Sequence, residues 1–298
     1  YAYYAGVHPA IISYLELHPD HYYMVDASDK NNYRFVTARG WEDLSEMMQL
    51  YEESGILVDH ALAAQYVQNP EFSKGFAEYY DRFNYYREKY DVDAILEGGI
   101  TAQNIADARA AGTEEAVALM NLLMDGITYT MRSCIQMEKM IRLIHPRMED
   151  IMDCNKNLDK AVRARNISPS NKKIQHWILH NLEAYLDKCT NEGRDNKNRC
   201  TVILQNSFNN LLHGANNVTQ QSMNGLKYAF DFLENAYGAD SNVMKKFIEE
   251  LKINCHTTNF IKKYGSEQFY RLAGEPVQQP TYNNLYDLNL TDCLLEQE

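Results

Sequence analysis

This 298-residue chain has little basic character: 29 lysines and arginines stand against 41 aspartates and glutamates, a net charge of −12. Nucleic acids and anionic membranes are held by basic patches that neutralise phosphate, so neither is an expected partner. No apolar run approaches the ~20 residues of a membrane-spanning helix, and no basic stretch followed by an apolar core opens the chain as a secretory signal would. The expectation is a soluble, cytoplasmic protein with protein partners. The six cysteines (Cys134, Cys154, Cys189, Cys200, Cys255 and Cys293) form no CxxC pair and show no metal-ligand spacing. They read as reduced thiols filling core positions.

Catalytic signatures are missing as well. The glycine-rich phosphate loop GxxxxGK[ST] is absent, and so is an apolar strand ending in Asp-Glu that could hold magnesium. Cradling the β- and γ-phosphates takes several converging backbone N–H groups and a lysine, which a helical chain without that loop does not supply in the usual way. No GxSxG elbow, HExxH or kinase-like set appears. Sustained alternation of apolar and polar residues is almost absent, and the chain reads as all-α.

What is present is helical periodicity with clear punctuation. Pro9 suits a first helical position, and that helix stops near His18-Pro19-Asp20. A polar connector (26–32) and a short extended piece (34–36) lead to Thr37, the N-cap of a helix with Trp41, Leu44, Met48 and Tyr51 on one face and Gly55 at its end. Asp59 caps the next helix and Asn69-Pro70 begins another. Along it Phe72, Phe76, Tyr79, Phe83, Tyr86 and Tyr90 follow at steps of three and four, the stripe of a helix packed over its whole length.

Glu97-Gly98-Gly99 marks a domain boundary, with Thr101 as the next N-cap. Leu119, Leu123, Ile127, Thr130, Cys134, Met137, Ile141 and Ile144 then trace one helix of roughly thirty residues, which His145-Pro146 breaks or kinks. Further helices are expected over 148–165, 170–189, 200–213, 220–237, 242–253 and 257–264, with a mobile polar loop at 191–198. The resulting division is 1–98, 99–274 and an extended or disordered tail, 275–298. The chain opens at Tyr1 without a methionine, inside what already reads as helix, and is expected to be a piece of something longer.

Two constellations could carry chemistry. His176 and His180 lie four apart on one helical face, and Glu183 could add a third metal ligand at the next turn; an ordinary surface pair beside Trp177 is the plainer explanation. Arg39 occupies the first turn of its helix directly before Gly40 and Trp41. The glycine leaves the surface open there, while the indole can anchor the turn in the core. A surface or salt-bridging role for Arg39 stays open on these grounds. The acidic residues Glu46, Glu52 and Glu53, and Glu249-Glu250, read as solvated faces, since acid–base work needs desolvated, converging carboxylates.

At Gly6-Val7-His8-Pro9-Ala10-Ile11-Ile12-Ser13-Tyr14-Leu15 and Phe35-Val36-Thr37-Ala38-Arg39-Gly40-Trp41-Glu42-Asp43-Leu44-Ser45, the chain resembles the lid region of MoxR-like AAA+ ATPases, over about its first third. The resemblance implies an AAA+ lid-type helical subdomain followed by a long-helix bundle or hairpin domain, with Arg39 as the sensor-2 arginine that reaches the γ-phosphate of ATP. Where the family has proline before that arginine, this chain has Ala38. The α/β ATPase core and most of the first lid helix are not in the sequence. The implied whole is therefore an upstream core that binds ATP and Mg²⁺, working as a hexamer in chaperone-like remodelling of partners, among them von Willebrand factor A domain proteins. The alternatives are a non-enzymatic helical scaffold or adaptor, in which Arg39 braces the surface, and a metal-dependent helical enzyme using His176, His180 and Glu183.

Overall fold

The computed structural model describes residues 7–26, 34–153, 172–193 and 197–278. Among them are twelve α-helices and one two-stranded antiparallel hairpin, so the chain is predominantly helical. In chain order they are α1 (Pro9–Leu17), β1 (Met24–Asp26), β2 (Arg34–Val36), α2 (Ala38–Glu53), α3 (His60–Tyr66), α4 (Pro70–Tyr90), α5 (Val92–Leu96), α6 (Ala102–Ala110), α7 (Thr113–Asp153), α8 (Lys172–Gly193), α9 (Lys197–Tyr237), α10 (Asn242–Ile253), α11 (Cys255–Tyr264) and α12 (Glu267–Ala273). No described helix is long and apolar enough to cross a membrane.

Short polar side chains set the helix starts by accepting orphan backbone N–H groups. Thr37 takes the Gly40 amide at 3.1 Å and Asp59 that of Leu62 at 3.0 Å; Asn69 takes those of Glu71 and Phe72. Pro9 and Pro70 stand in first turns, where a missing N–H leaves nothing unsatisfied. Gly55 closes the α2 turn with φ +67°, a conformation favouring glycine.

Contacts divide the described residues into two compact units, 7–129 with 223–278, and 130–222. The first has its core between α1, α2 and α4, where Tyr14, Trp41, Phe76 and Tyr79 lie with ring centroids 5.4–5.9 Å apart. The stripe on α4 does the packing its spacing predicts: Phe76, Tyr79, Phe83 and Tyr90 are buried. Residues on both sides of Gly98-Gly99 belong to this unit. Gly98 has φ +95°, and a Cβ there would sit 2.8 Å from the Tyr228 ring. The second unit packs α7, α8 and α9 around Ile141, Ile144, Ile178, Leu182, Leu204, Phe208 and Leu212.

Three expectations need correction. Of the break or kink expected at His145-Pro146 there is no break: α7 continues through Pro146 to Asp153. An internal proline costs a helix ~3 kcal/mol, and burial of Ile144 and Met148 on either side of it opposes that loss. The two helices read over 200–213 and 220–237 are one, α9, because the buried positions Leu204, Phe208, Leu212, Ala215, Ser222, Leu226 and Phe230 keep helical spacing across Gly214. The polar stretch 191–198 is helical at both ends, since α8 runs through Gly193 and α9 starts at Lys197; 194–196 lie outside the described residues. So do 1–6, most of the 26–32 connector, all but the first residues of the expected 148–165 helix, and the tail beyond 278.

Candidate functional site

The Thr37 cap fixes where Arg39 stands. It places Ala38, Arg39 and Gly40 in the first turn of α2, with Trp41 pointing inward: the indole is 2 % exposed and its Nε1 donates to the His21 carbonyl at 3.2 Å. The Arg39 side chain is 75 % exposed, and its Nε donates to Asp43, one turn on, at 2.9 Å. This hydrogen bond and the Asp43, Glu42 and Glu46 carboxylates push the guanidinium's pKa up, leaving a permanent positive charge at the surface.

Gly40 has a different purpose from the one its sequence position suggests. A Cβ on it would lie 2.6 Å from the Tyr66 carbonyl oxygen. The glycine therefore permits the end of α3 to approach the start of α2, and does not simply leave the surface open. Gly40→Ala is expected to destabilise the fold by about 1–3 kcal/mol, the usual cost of overpacking; a urea midpoint unchanged from wild type would contradict this close approach.

The histidine–proline pair at the start of α1, with His8 as its N-cap, opens a second polar constellation. His8 is buried, and its Nδ1 accepts the Ala10 amide at 3.1 Å. The other ring nitrogen then carries the proton and donates to the two Glu52 oxygens at 3.1 and 3.2 Å. Tyr80 donates its hydroxyl to the same carboxylate at 2.6 Å, and the Ser45 hydroxyl accepts the His8 amide at 2.8 Å. Burial pushes the Glu52 carboxyl up, but the hydrogen bonds from His8 and Tyr80 outweigh it and hold the pKa below the ordinary value. With both ring nitrogens engaged, His8 fastens α1 to α2 and α4 and has no free lone pair for a substrate. Glu52, read from sequence as part of a solvated face, is thus a structural acceptor. Asp125 on α7 lies in the same electrostatic field; burial raises its pKa, while His8 and Arg87 lower it.

A third network is more deeply buried. The Asn121 side-chain amide donates to Ser13 Oγ at 3.0 Å and to Glu16 Oε2 at 2.9 Å. Ser13 and Tyr79 share a hydrogen bond of 2.5 Å, and Lys246 Nζ lies 2.8 Å from the same Glu16 oxygen. Asn121 was not singled out from the sequence, although its place in the uncharged run Ala118-Leu119-Met120-Asn121-Leu122-Leu123-Met124 marks a polar group that must find partners inside.

The residues proposed for a metal are not brought together as a described site. His180 and Glu183 are both exposed on α8, and the His176 side chain lies outside the described residues. Among the described residues no group of three His, Cys, Asp or Glu side chains has metal-ligand proximity. Arg39 remains the candidate whose surroundings present charge outward.

The fold and site together define a predominantly helical chain that displays an arginine on an anchored helix start. No family model, curated protein or solved structure matches the chain.

Proposed function

We propose that this chain is the C-terminal, lid-bearing part of a MoxR-like AAA+ ATPase, with Arg39 as its sensor-2 arginine. The supporting observation is the contrast within one turn: Trp41 is buried and hydrogen-bonded, while Arg39, two residues earlier, is largely exposed. A rigidly held turn carrying a planar, permanently charged group suits recognition of phosphate oxygens as charge develops on them. In this reading ATP and Mg²⁺ are bound by an upstream core, and the chain alone does not hydrolyse ATP. The helices beyond the lid contact partner proteins, including von Willebrand factor A domain proteins, and the intact protein assembles as a hexamer.

Joined to an upstream core containing GxxxxGK[ST], Arg39→Ala is expected to slow ATP turnover about a hundredfold, with the circular dichroism and thermal transition unchanged. An unchanged rate removes Arg39 from the site. Saturable ATPase activity of the isolated chain, lost on Arg39→Ala, overturns the division of labour. The Arg39–Asp43 ion pair favours a second reading, a non-enzymatic scaffold or adaptor in which Arg39 braces its own helix. An exposed pair one turn apart is weak, and a phosphate can displace it; nucleotide-independent partner binding with no ATPase in the joined protein would favour the scaffold.

A further inference from the structure

The short turn that follows α1 holds an imidazole in an unusual setting. His21 lies parallel to the Phe72 ring on α4, with centroids 3.7 Å apart and planes at 15°, and stacks on His18 at 5.0 Å, again at 15°. Its Nδ1 is 2.8 Å from the Tyr14 hydroxyl of α1. Its backbone carbonyl receives the Trp41 indole N–H, so the turn lies directly over the residue that anchors the Arg39 helix.

The hydroxyl of Tyr14 has one proton and two acceptors within reach, His21 Nδ1 at 2.8 Å and the Phe72 carbonyl at 3.4 Å. With the imidazole neutral and its proton on Nε2, Tyr14 donates to Nδ1. Once Nδ1 gains a proton, Tyr14 must accept from it and turn its own proton toward the Phe72 carbonyl, a long bond. Protonation therefore rearranges the contacts that fasten the turn.

We propose that this cluster is a proton-sensitive clasp: neutral His21 fastens the Pro19–His21 turn over Trp41, and protonation on acidification loosens the turn and the start of the Arg39 helix. The groups that face His21 are His18 and Asp20 from its own turn, Tyr14 from α1 and Glu71 from α4. Burial is the largest influence and lowers the imidazole pKa; Asp20 raises it, His18 lowers it and Glu71 raises it, with a net lowering. A histidine whose folded value lies below its unfolded one gives stabilisation that is complete above the ordinary value of 6.5 and is lost as pH falls from there through the folded value.

The two tryptophans make a direct test available, because Trp177→Phe leaves Trp41 as the sole indole. In that background Trp41 emission is expected to stay constant from about pH 8 to about pH 7 and then shift to the red with a one-proton profile on acidification toward about pH 5. His21→Gln is expected to abolish the transition, and His18→Gln, which removes the stacked neighbour that lowers the His21 value, to keep it and move its midpoint to higher pH. Flat Trp41 emission, or a transition that survives His21→Gln, overturns the proposal. Should His21→Gln not fold, imidazole and indole NMR of the wild-type chain decides: Trp41 N–H is expected to move with the His21 titration, and a Trp41 resonance indifferent to it overturns the clasp.

Discussion

Trp41→Ala is expected to cost the first unit about 3–5 kcal/mol of stability, the range for truncating a large buried aromatic side chain. The indole is 2 % exposed, and its ring sits 5.4 Å from Phe76 and 5.9 Å from Tyr14, so its removal opens a void between α1, α2 and α4. Packed neighbours collapse only partly into such a space, which is why the loss exceeds the transfer energy of the removed atoms. The His21 carbonyl also loses its donor. Trp41→Phe separates the two contributions: it keeps most of the apolar volume and forfeits the hydrogen bond, for an expected loss of about 1–2 kcal/mol. Urea unfolding followed by circular dichroism reads both. A Trp41→Ala protein within about 1 kcal/mol of wild type would mean that the indole is not the anchor of this turn.

The beginning of α2 was legible in the sequence because its signals are local. Thr37, Arg39, Gly40 and Trp41 lie within five residues, and a cap three residues from the amide it satisfies needs no knowledge of the rest of the chain. The α4 stripe was legible for a similar reason, since one buried face repeats at three and four residues. The long helices were harder. Pro146 and Gly214 are helix breakers by intrinsic preference, yet both lie inside helices whose buried positions keep their period across them. Packing decided against propensity at these two places.

The polar ties were largely hidden. Glu52 precedes Glu53 at the polar end of α2, so it resembles every other carboxylate on an exposed face. Only the approach of His8, 44 positions away, and of Tyr80, 28 away, turns it into an acceptor. His21 is concealed in the same way, because Phe72 and Tyr14 come to it from different helices. Arg39 shows the opposite limit: the sequence placed it correctly on an exposed turn, and the fold adds Asp43 as its partner.

The second large effect is expected at Asn121, where Asn121→Leu should destabilise the first unit by about 3–4 kcal/mol, from the loss of one neutral and one charge-assisted hydrogen bond. Leucine has the same branched four-heavy-atom outline as asparagine and is no smaller, so the cost comes from polar groups left behind and not from a cavity. Ser13 Oγ keeps its bond to Tyr79, but Glu16 retains only Lys246 among the partners described for it. That carboxylate's side chain is 20 % exposed, and a partly buried charge stripped of a donor pays a desolvation penalty that a surface charge would not. Glu16→Gln in the Asn121→Leu background tests this account, because it removes the charge that makes loss of the Asn121 amide costly and leaves only a neutral acceptor. The double variant is expected to be less destabilised than the sum of the two single ones, a coupling of about 1–2 kcal/mol in a double-mutant cycle. Strict additivity would show that Asn121 and Glu16 do not depend on one another and that the 2.9 Å contact contributes little to the fold.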